Sequence, residues 1–281
     1  MLPTTLHSVV LGIVLGLTVG SFLNVVIYRL PVMLQRGWER ECALFNDQAT
    51  PEHEPFNLAV PASRCQSCGH KIAWYENIPL VSYIALRGRC SACRQSISVR
   101  YPAVELATGV LFGWCFAIFG LTPSSFIWSG VAATLVALAM IDLDTMMLPD
   151  ALVYPLLWAG LIASAADRTN TFLAHAVWGA VFGYLSLWLV YWAFKLLTGK
   201  EGMGHGDFKL FAALGAWFGW PALLPIIIMA SVIGILAAVG LRVCGKASEN
   251  AQMPFGPFLA GAGLVMTVIG PQVFVRALGL D

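Results

Sequence analysis

The sequence predicts an all-α, multi-pass membrane protein of about eight transmembrane helices, with a zinc-binding polar loop between the first two. Three observations predict it. Of the 281 residues, 58% are hydrophobic and only 11% charged, less than half the roughly 25% charge expected of a soluble domain. The apolar residues gather into runs near the length of about 20 that a bilayer crossing requires. Residues 31–101 break this pattern with dense charge, several prolines and two C-x-x-C pairs.

Taken in order, the first run occupies residues 6–30. Its apolar core lacks a basic segment before it and an Ala-x-Ala-like cleavage site after it, so it is expected to be a retained helix rather than a signal peptide. The polar loop follows. Further runs cover residues 102–120, 123–141, 151–166, 172–197, 208–218, 221–243 and 257–278, with the 208–218 run short. Residues 208–243 are too long for one crossing, and Trp217-Phe218-Gly219-Trp220-Pro221 supplies a helix breaker and interfacial aromatics. The expected organisation is therefore a first helix (1–30), a polar module (31–101) and a multi-helix membrane domain (102–281).

The net charge of +1 excludes nucleic acid as a partner, because phosphate binding needs a concentrated basic face. The lipid bilayer is the expected solvent. With the N-terminus outside, the long loop and its flanks, together with Lys195, Lys200, Lys209, Arg242 and Lys246, lie in the cytoplasm. That places fourteen of the 16 basic residues inside and leaves only Arg168 and Arg276 outside. Both termini are expected to face the exterior.

Two acidic clusters fall where apolar runs meet that cytoplasmic edge. One is Ile141-Asp142-Leu143-Asp144 with Leu148-Pro149-Asp150; the other is Gly204-His205-Gly206-Asp207, heading an apolar run. Ionisable groups at membrane depth cost several kcal/mol unless paired or hydrated, so they mark functional sites by default. Two carboxylates in one site cannot both ionise cheaply. One can then take a proton from an attacking water while the other donates to a developing oxyanion or leaving amine. Asp142 and Asp207 are the expected catalytic pair, with Gly204, Gly206, Asp144, Pro149 and Asp150 as supporting motif residues. Gly202, Gly204 and Gly206 let an extended backbone approach closely. Asp144, Asp150 and Glu201 taken singly also read as ordinary interfacial charges, and His205 as a polar loop residue rather than a ligand.

Cys65-Gln-Ser-Cys68 and Cys90-Ser-Ala-Cys93 have the spacing of a tetrahedral four-cysteine zinc site, each pair giving half the shell. Four thiolates would close that shell, so a structural role is expected. Two disulfides or a redox dithiol compete with this reading, but a cytoplasmic loop is reducing. Cys42, Cys115 and Cys244 have no partners at metal spacing.

In order and spacing the chain closely resembles the bacterial type IV prepilin peptidases, a family of bifunctional leader peptidases and N-methyltransferases. The likeness rests on Gly20-Ser21-Phe22-Leu23-Asn24, Tyr28-Arg29-Leu30-Pro31, the four-cysteine loop, Asn77-Ile78-Pro79-Leu80-Val81-Ser82-Tyr83, Arg100-Tyr101-Pro102-Ala103-Val104-Glu105 and both aspartate motifs. The second of these motifs, Gly204-His205-Gly206-Asp207, matches that family's GxGD. The resemblance implies an aspartyl protease of the bacterial inner membrane, with Asp142 and Asp207 catalytic, that cleaves prepilins and type II secretion pseudopilins at the cytoplasmic face. It also implies methylation of the new N-terminal residue, usually Phe, by S-adenosylmethionine. No residue is assigned to the methyl donor: the glycine run 202–206 is no dinucleotide-type loop, and Glu54, Lys71, Glu76 and Glu105 are candidates of equal standing. The competing class is an ion- or proton-coupled transporter using the same aspartates, which would leave the cysteine module and glycine cluster unexplained.

Overall fold

The computed structural model describes residues 6–51, 54–245, 253–277 and 279; Lys246 and Leu278, used above for orientation and for the last run, lie outside them, as do both terminal residues. Ten α-helices occur among the described residues, and no strand longer than an isolated bridge. The chain divides into two compact units, Met1–Ser129 and Gly130–Asp281.

The first unit is built on α1 (Leu6–Phe45), the short α2 (Val81–Ala85) and α3 (Arg100–Phe119), and it contains the start of α4 (Pro123–Thr145). Helices α1 and α3 pack antiparallel through small residues. Gly12, Gly16 and Gly20 recur every fourth residue, and a Cβ at Gly20 would lie 2.7 Å from the Glu105 Cα. From the other side, Gly109 and Gly113 lie under Leu17 and Ile13. Lipid gives helices no hydrophobic reason to pair, so close backbone approach through small residues supplies the contact instead.

Helix α1 does not stop where the apolar run ends. It passes through Pro31 and continues to Phe45, because residues 32–45 are mostly good helix formers and Gln35 bonds Glu39 one turn on. At 40 residues it is about 60 Å long, twice the roughly 30 Å hydrocarbon core, so its second half extends into water. Buried Arg29 ties the polar segment to this helix: its guanidinium donates to the Asn57 and Pro61 carbonyls at 2.9 and 2.6 Å. The Phe56 ring sits under both Arg29 and Arg36, 5.6 and 4.6 Å from their guanidinium carbons.

The second unit holds the rest of α4 with α5 (Asp150–Ala165), α6 (Leu173–Thr198), α7 (His205–Phe218), α8 (Leu223–Val243), α9 (Gly256–Ile269) and α10 (Pro271–Ala277). Helix α7 is its centre. From Asp207 to Phe218 every residue except Lys209 is buried, and α5, α6, α8 and α9 all touch it. Its crossing with α6 is backbone on backbone, since a Cβ at Gly179 would collide with Gly215 and the reverse. Trp217 fixes the far end: its indole N–H donates to the Leu156 carbonyl at 2.8 Å, and its own carbonyl accepts from the Thr171 hydroxyl at 3.0 Å. The chain then turns at Gly219, φ 81°, and Pro221, where the sequence places the break.

Where described, the eight apolar runs fall on helices, the last of them on two, α9 and α10. Among the described residues five helices are long and apolar enough to cross a bilayer alone, and α9 with α10 makes a sixth if that pair, bent by 98°, counts as one span. Helices α5 and α7, at 16 and 14 residues, fall short of the roughly 17 a crossing needs. For α7 the reason is its surroundings: a helix enclosed by protein has no lipid thickness to match.

Candidate active site

Asp207 is the third residue of α7, whose N-cap is Gly204. Its carboxylate reaches back to the Gly204 N–H, as an acidic residue does at this position of a capping box. It thereby meets the positive end of the helix macrodipole. Asp142 lies in the last turn of α4, and its carboxylate accepts the N–H of Gly256, the first residue of α9. Each carboxylate therefore faces a helix N-terminus, and each is nearly sealed, Asp142 at 5% and Asp207 at 6% exposure.

One side chain links the two halves. Leu148 packs so closely on both Gly206 and Gly256 that a Cβ at those positions would lie 2.8 Å from its Cβ and 3.1 Å from its Cδ1, respectively. A Cβ at Gly256 would also come within 2.5 Å of Asp142 Oδ2. The carboxyl groups of Asp142 and Asp207 are near enough to interact electrostatically. Two buried carboxyls so placed can share one proton and do acid–base chemistry on a water between them.

The other residues singled out in the sequence are placed differently. Asp144 and Asp150 are exposed. Asp150 accepts from Lys209 Nζ through both oxygens at 2.8 Å, and Lys209 also lies over the Tyr154 ring. Pro149 is buried and caps α5 in extended conformation. The glycine-rich loop is tied to α6: Lys195 donates to Glu201 at 2.8 Å and the Tyr191 hydroxyl donates to it at 3.3 Å. The Lys195 ammonium, helped by Tyr191, holds the Glu201 carboxyl below its ordinary range. His205, the first residue of α7, lies tilted against Tyr191 and Phe208, ring centroids 5.0 and 5.4 Å away.

In the first unit the four cysteines converge. Their sulfurs all lie within 4.8 Å of one another, and Cys65 and Cys93 are 3.8 Å apart, about the edge of a tetrahedron with 2.3 Å metal–sulfur bonds. All four are free thiols. Each pair sits in the same kind of turn. Cys65 N–H bonds the His70 carbonyl and Cys90 N–H bonds the Gln95 carbonyl; the residue after each second cysteine, Gly69 or Arg94, has positive φ; and a bridge closes each turn, Arg64 to Lys71 and Arg89 to Ser96. The backbone N–H groups of Cys68 and Ser67 bring the Cys65 thiol down to about 6. Cys68 receives a favourable bond from the His70 backbone, yet burial and the crowding thiols of Cys93, Cys65 and Cys90 push it up to about 11. A donor set that resists ionising together without a cation fits a metal ion that four thiolates would enclose.

Above these turns the first unit contains a cleft of about 720 Å³, with Glu76 and Glu105 among its lining residues but neither Glu54 nor Lys71.

Residues 14–119 match the bacterial peptidase A24 N-terminal domain, and residues 129–239 match the type IV leader peptidase family. A prepilin leader peptidase/N-methyltransferase of Stutzerimonas stutzeri is 52% identical over 270 residues, covering 95% of this chain and 93% of the relative. Proteins of the same name from Pseudomonas putida and Pseudomonas aeruginosa are 49% and 48% identical, covering 98% and 95% of this chain and 95% and 92% of their own lengths. The chain belongs to the type IV leader peptidase family. Among solved structures none matches it.

Membership in the leader peptidases removes the transporter alternative. The family match over 129–239 contains both aspartates, and the N-terminal match contains the four cysteines. The sequence does not single out Gly256, and it shows Leu148 only as part of the first aspartate motif. The available signal for Gly256 was its place directly before Pro257 at a helix start; Leu148 is one leucine among many, and only the fold sets it between two glycines.

Proposed function

We propose that this leader peptidase family member is an intramembrane aspartyl endopeptidase that removes the leader of type IV prepilins and type II pseudopilins, with Asp142 and Asp207 as its catalytic pair. The burial of these two carboxyls, each against a helix N-terminus and joined through Leu148, carries the reading. The ionised partner takes a proton from water as the oxygen attacks the scissile carbonyl, and the protonated partner donates to the departing amine. Exposure of Asp144, beside buried Asp142, supports the choice between neighbours. The test is cleavage of purified prepilin in detergent: Asp142→Asn and Asp207→Asn should each lower kcat by about 10³-fold or more while the protein stays folded. Full activity in either would remove that residue from the pair, and loss in Asp144→Asn with retention in Asp142→Asn would reassign it.

The same chain then methylates the new N-terminal residue, usually Phe; its relatives bear the name N-methyltransferase. S-adenosylmethionine supplies an electrophilic methyl, which bonds to the amine nitrogen as the amine loses a proton and a neutral thioether departs. Cys65, Cys68, Cys90 and Cys93 hold one structural zinc. The protein works in the bacterial inner membrane with the carboxylates at the cytoplasmic face, an orientation supported by the distribution of Lys and Arg. In this organisation residues 1–30 form the first span, 31–101 the cytoplasmic zinc module and 102–281 the protease.

A further inference from the structure

We propose that the polar module carries a phospholipid site of its own: α2 lies in the interfacial layer of the bilayer, and Arg87, Arg89 and Arg94 beyond its C-terminal end hold the phosphate of an anionic lipid. Nothing in this site draws on peptidase or methyl-transfer chemistry; it requires only that α1 and α3 cross the membrane.

One hydrogen bond sets the depth. Leu80, the N-cap of α2, donates its N–H to Glu105 Oε2 at 2.8 Å. Glu105 stands on α3, three residues inside the apolar run that begins at Pro102, or about 5 Å along the helix axis. The headgroup layer on each side of the hydrocarbon core is about 5–7 Å thick. Helix α2 therefore starts within that layer's thickness of the hydrocarbon edge. Leu80 adopts φ 57° there, a backbone region that non-glycine residues avoid and keep where the surroundings impose it.

What this stretch exposes suits that depth. Val81 and Ile84 of α2 are 60% and 73% exposed. Trp74 and Tyr75, shortly before it, are also exposed and meet edge to face, ring centroids 5.8 Å apart, and Val99 is exposed at the N-cap of α3. Between residues 46 and 73 only Leu58 and Val60, among the described residues, are large, apolar and exposed. The uncovered apolar side chains of the module thus gather in the segment tied to α3, and tryptophan and tyrosine settle at membrane–water boundaries.

The charge next to them matches a lipid phosphate. The Arg87 and Gly88 N–H groups bond back to the Ile84 and Tyr83 carbonyls, and both residues have positive φ, which closes α2 and turns the chain into the second cysteine pair. A pocket of about 240 Å³ opens at this turn, lined by the three arginines, Ser91, Cys90 and the end of α2. No carboxylate among the described residues pairs with any of the three arginines. Four thiolates around a divalent metal leave two negative charges in excess, and Arg64 and Lys71 beside the first cysteine pair already equal them. The pocket is smaller than the roughly 300–1,000 Å³ of small-molecule sites and suits one phosphate group, which guanidiniums bind through paired N–H donors. Free phosphate would meet the same guanidiniums. Exposed Ile84 beside Arg87 favours the lipid, whose acyl chains continue from the phosphate into the layer where α2 lies.

The experiment uses the full-length, metal-loaded protein. For depth, a nitroxide is attached at Ile84→Cys, with Cys42→Ser and Cys244→Ser removing the exposed thiols outside the metal site, and the protein is placed in lipid nanodiscs. A label more accessible to dioxygen than to chromium oxalate supports the placement of α2, and the reverse overturns it. For the phosphate, native mass spectrometry in detergent follows binding of short-chain phosphatidylglycerol. Its Kd should rise about tenfold or more in Arg87→Gln/Arg94→Gln, with metal content and thermal midpoint equal to wild type. If metal content falls, Arg87→Gln alone decides, with an expected rise of about threefold. Wild-type affinity in the deciding variant, equally tight binding of phosphatidylcholine, or displacement of the lipid by inorganic phosphate at equal concentration overturns the site.

Discussion

At Gly256 a single hydrogen atom separates the proposed catalytic carboxylate of Asp142 from a steric clash. A methyl there would meet Asp142 Oδ2 at 2.5 Å and Leu148 Cδ1 at 3.1 Å, and neither can retreat far in a buried site. Gly256→Ala is therefore expected to lower kcat/KM for prepilin by roughly 10–100-fold through misplacement of Asp142, with a stability loss of about 1–3 kcal/mol that leaves the protein folded; unchanged kinetics would mean that α9 plays no part in aiming this group. Because the proposed catalytic pair works with one proton, cleavage should follow a bell-shaped pH profile. It falls in acid, when both carboxyls are protonated, and in base, when both are ionised. The profile in Asp144→Asn should match wild type. At the cysteines, elemental analysis of protein purified without chelators should give about one zinc per chain, and Cys93→Ser should lose most of it. These residues were legible because their chemistry is rare in an apolar chain: a buried aspartate or a C-x-x-C pair has few other uses. Gly256 was not, because among 27 glycines nothing in the sequence marks the one that touches a carboxylate.

Among the helices, hydropathy located every apolar run, since lipid-facing composition is read directly from the residues. Two features depend on neighbours instead. Helix α1 continues 15 residues past the apolar run, to Phe45, because helix propensity and the Arg29 and Arg36 contacts to residues 54–61 take over where hydrophobicity ends. Helix α7, short for a span at 14 residues, is enclosed by other helices. The glycine stripe of α1, Gly12, Gly16 and Gly20, was present in the sequence as a small-x-x-x-small repeat and pairs with Gly109 and Gly113 of α3. The α6–α7 crossing is tighter still. Gly215→Leu should force those helices apart and destabilise the second unit by several kcal/mol, beyond the 1–3 typical of overpacking, since the obstacle is backbone rather than a movable side chain. The check is a thermal or denaturant midpoint in detergent, with Gly37→Leu, which meets nothing within 4 Å, as the control expected to behave as wild type.

For the molecule as a whole, the two compact units separate two kinds of chemistry: thiols and a polar cleft in one, paired carboxyls in the other. Removing metal with a chelator is expected to leave cleavage of prepilin intact, because the four cysteines and the paired carboxyls belong to different units; loss of cleavage would tie the metal to the protease as well. The enclosure of α7 bears on the choice of host lipid. Large apolar side chains are exposed on α6 and α8 while the helix that carries Asp207 is enclosed by protein, so hydrophobic mismatch should be absorbed by tilt at the periphery. Reconstituted into vesicles whose chains run from about 14 to 20 carbons, the enzyme should cut prepilin at rates within about threefold of one another, whereas a catalytic helix bathed in lipid would register each change in thickness.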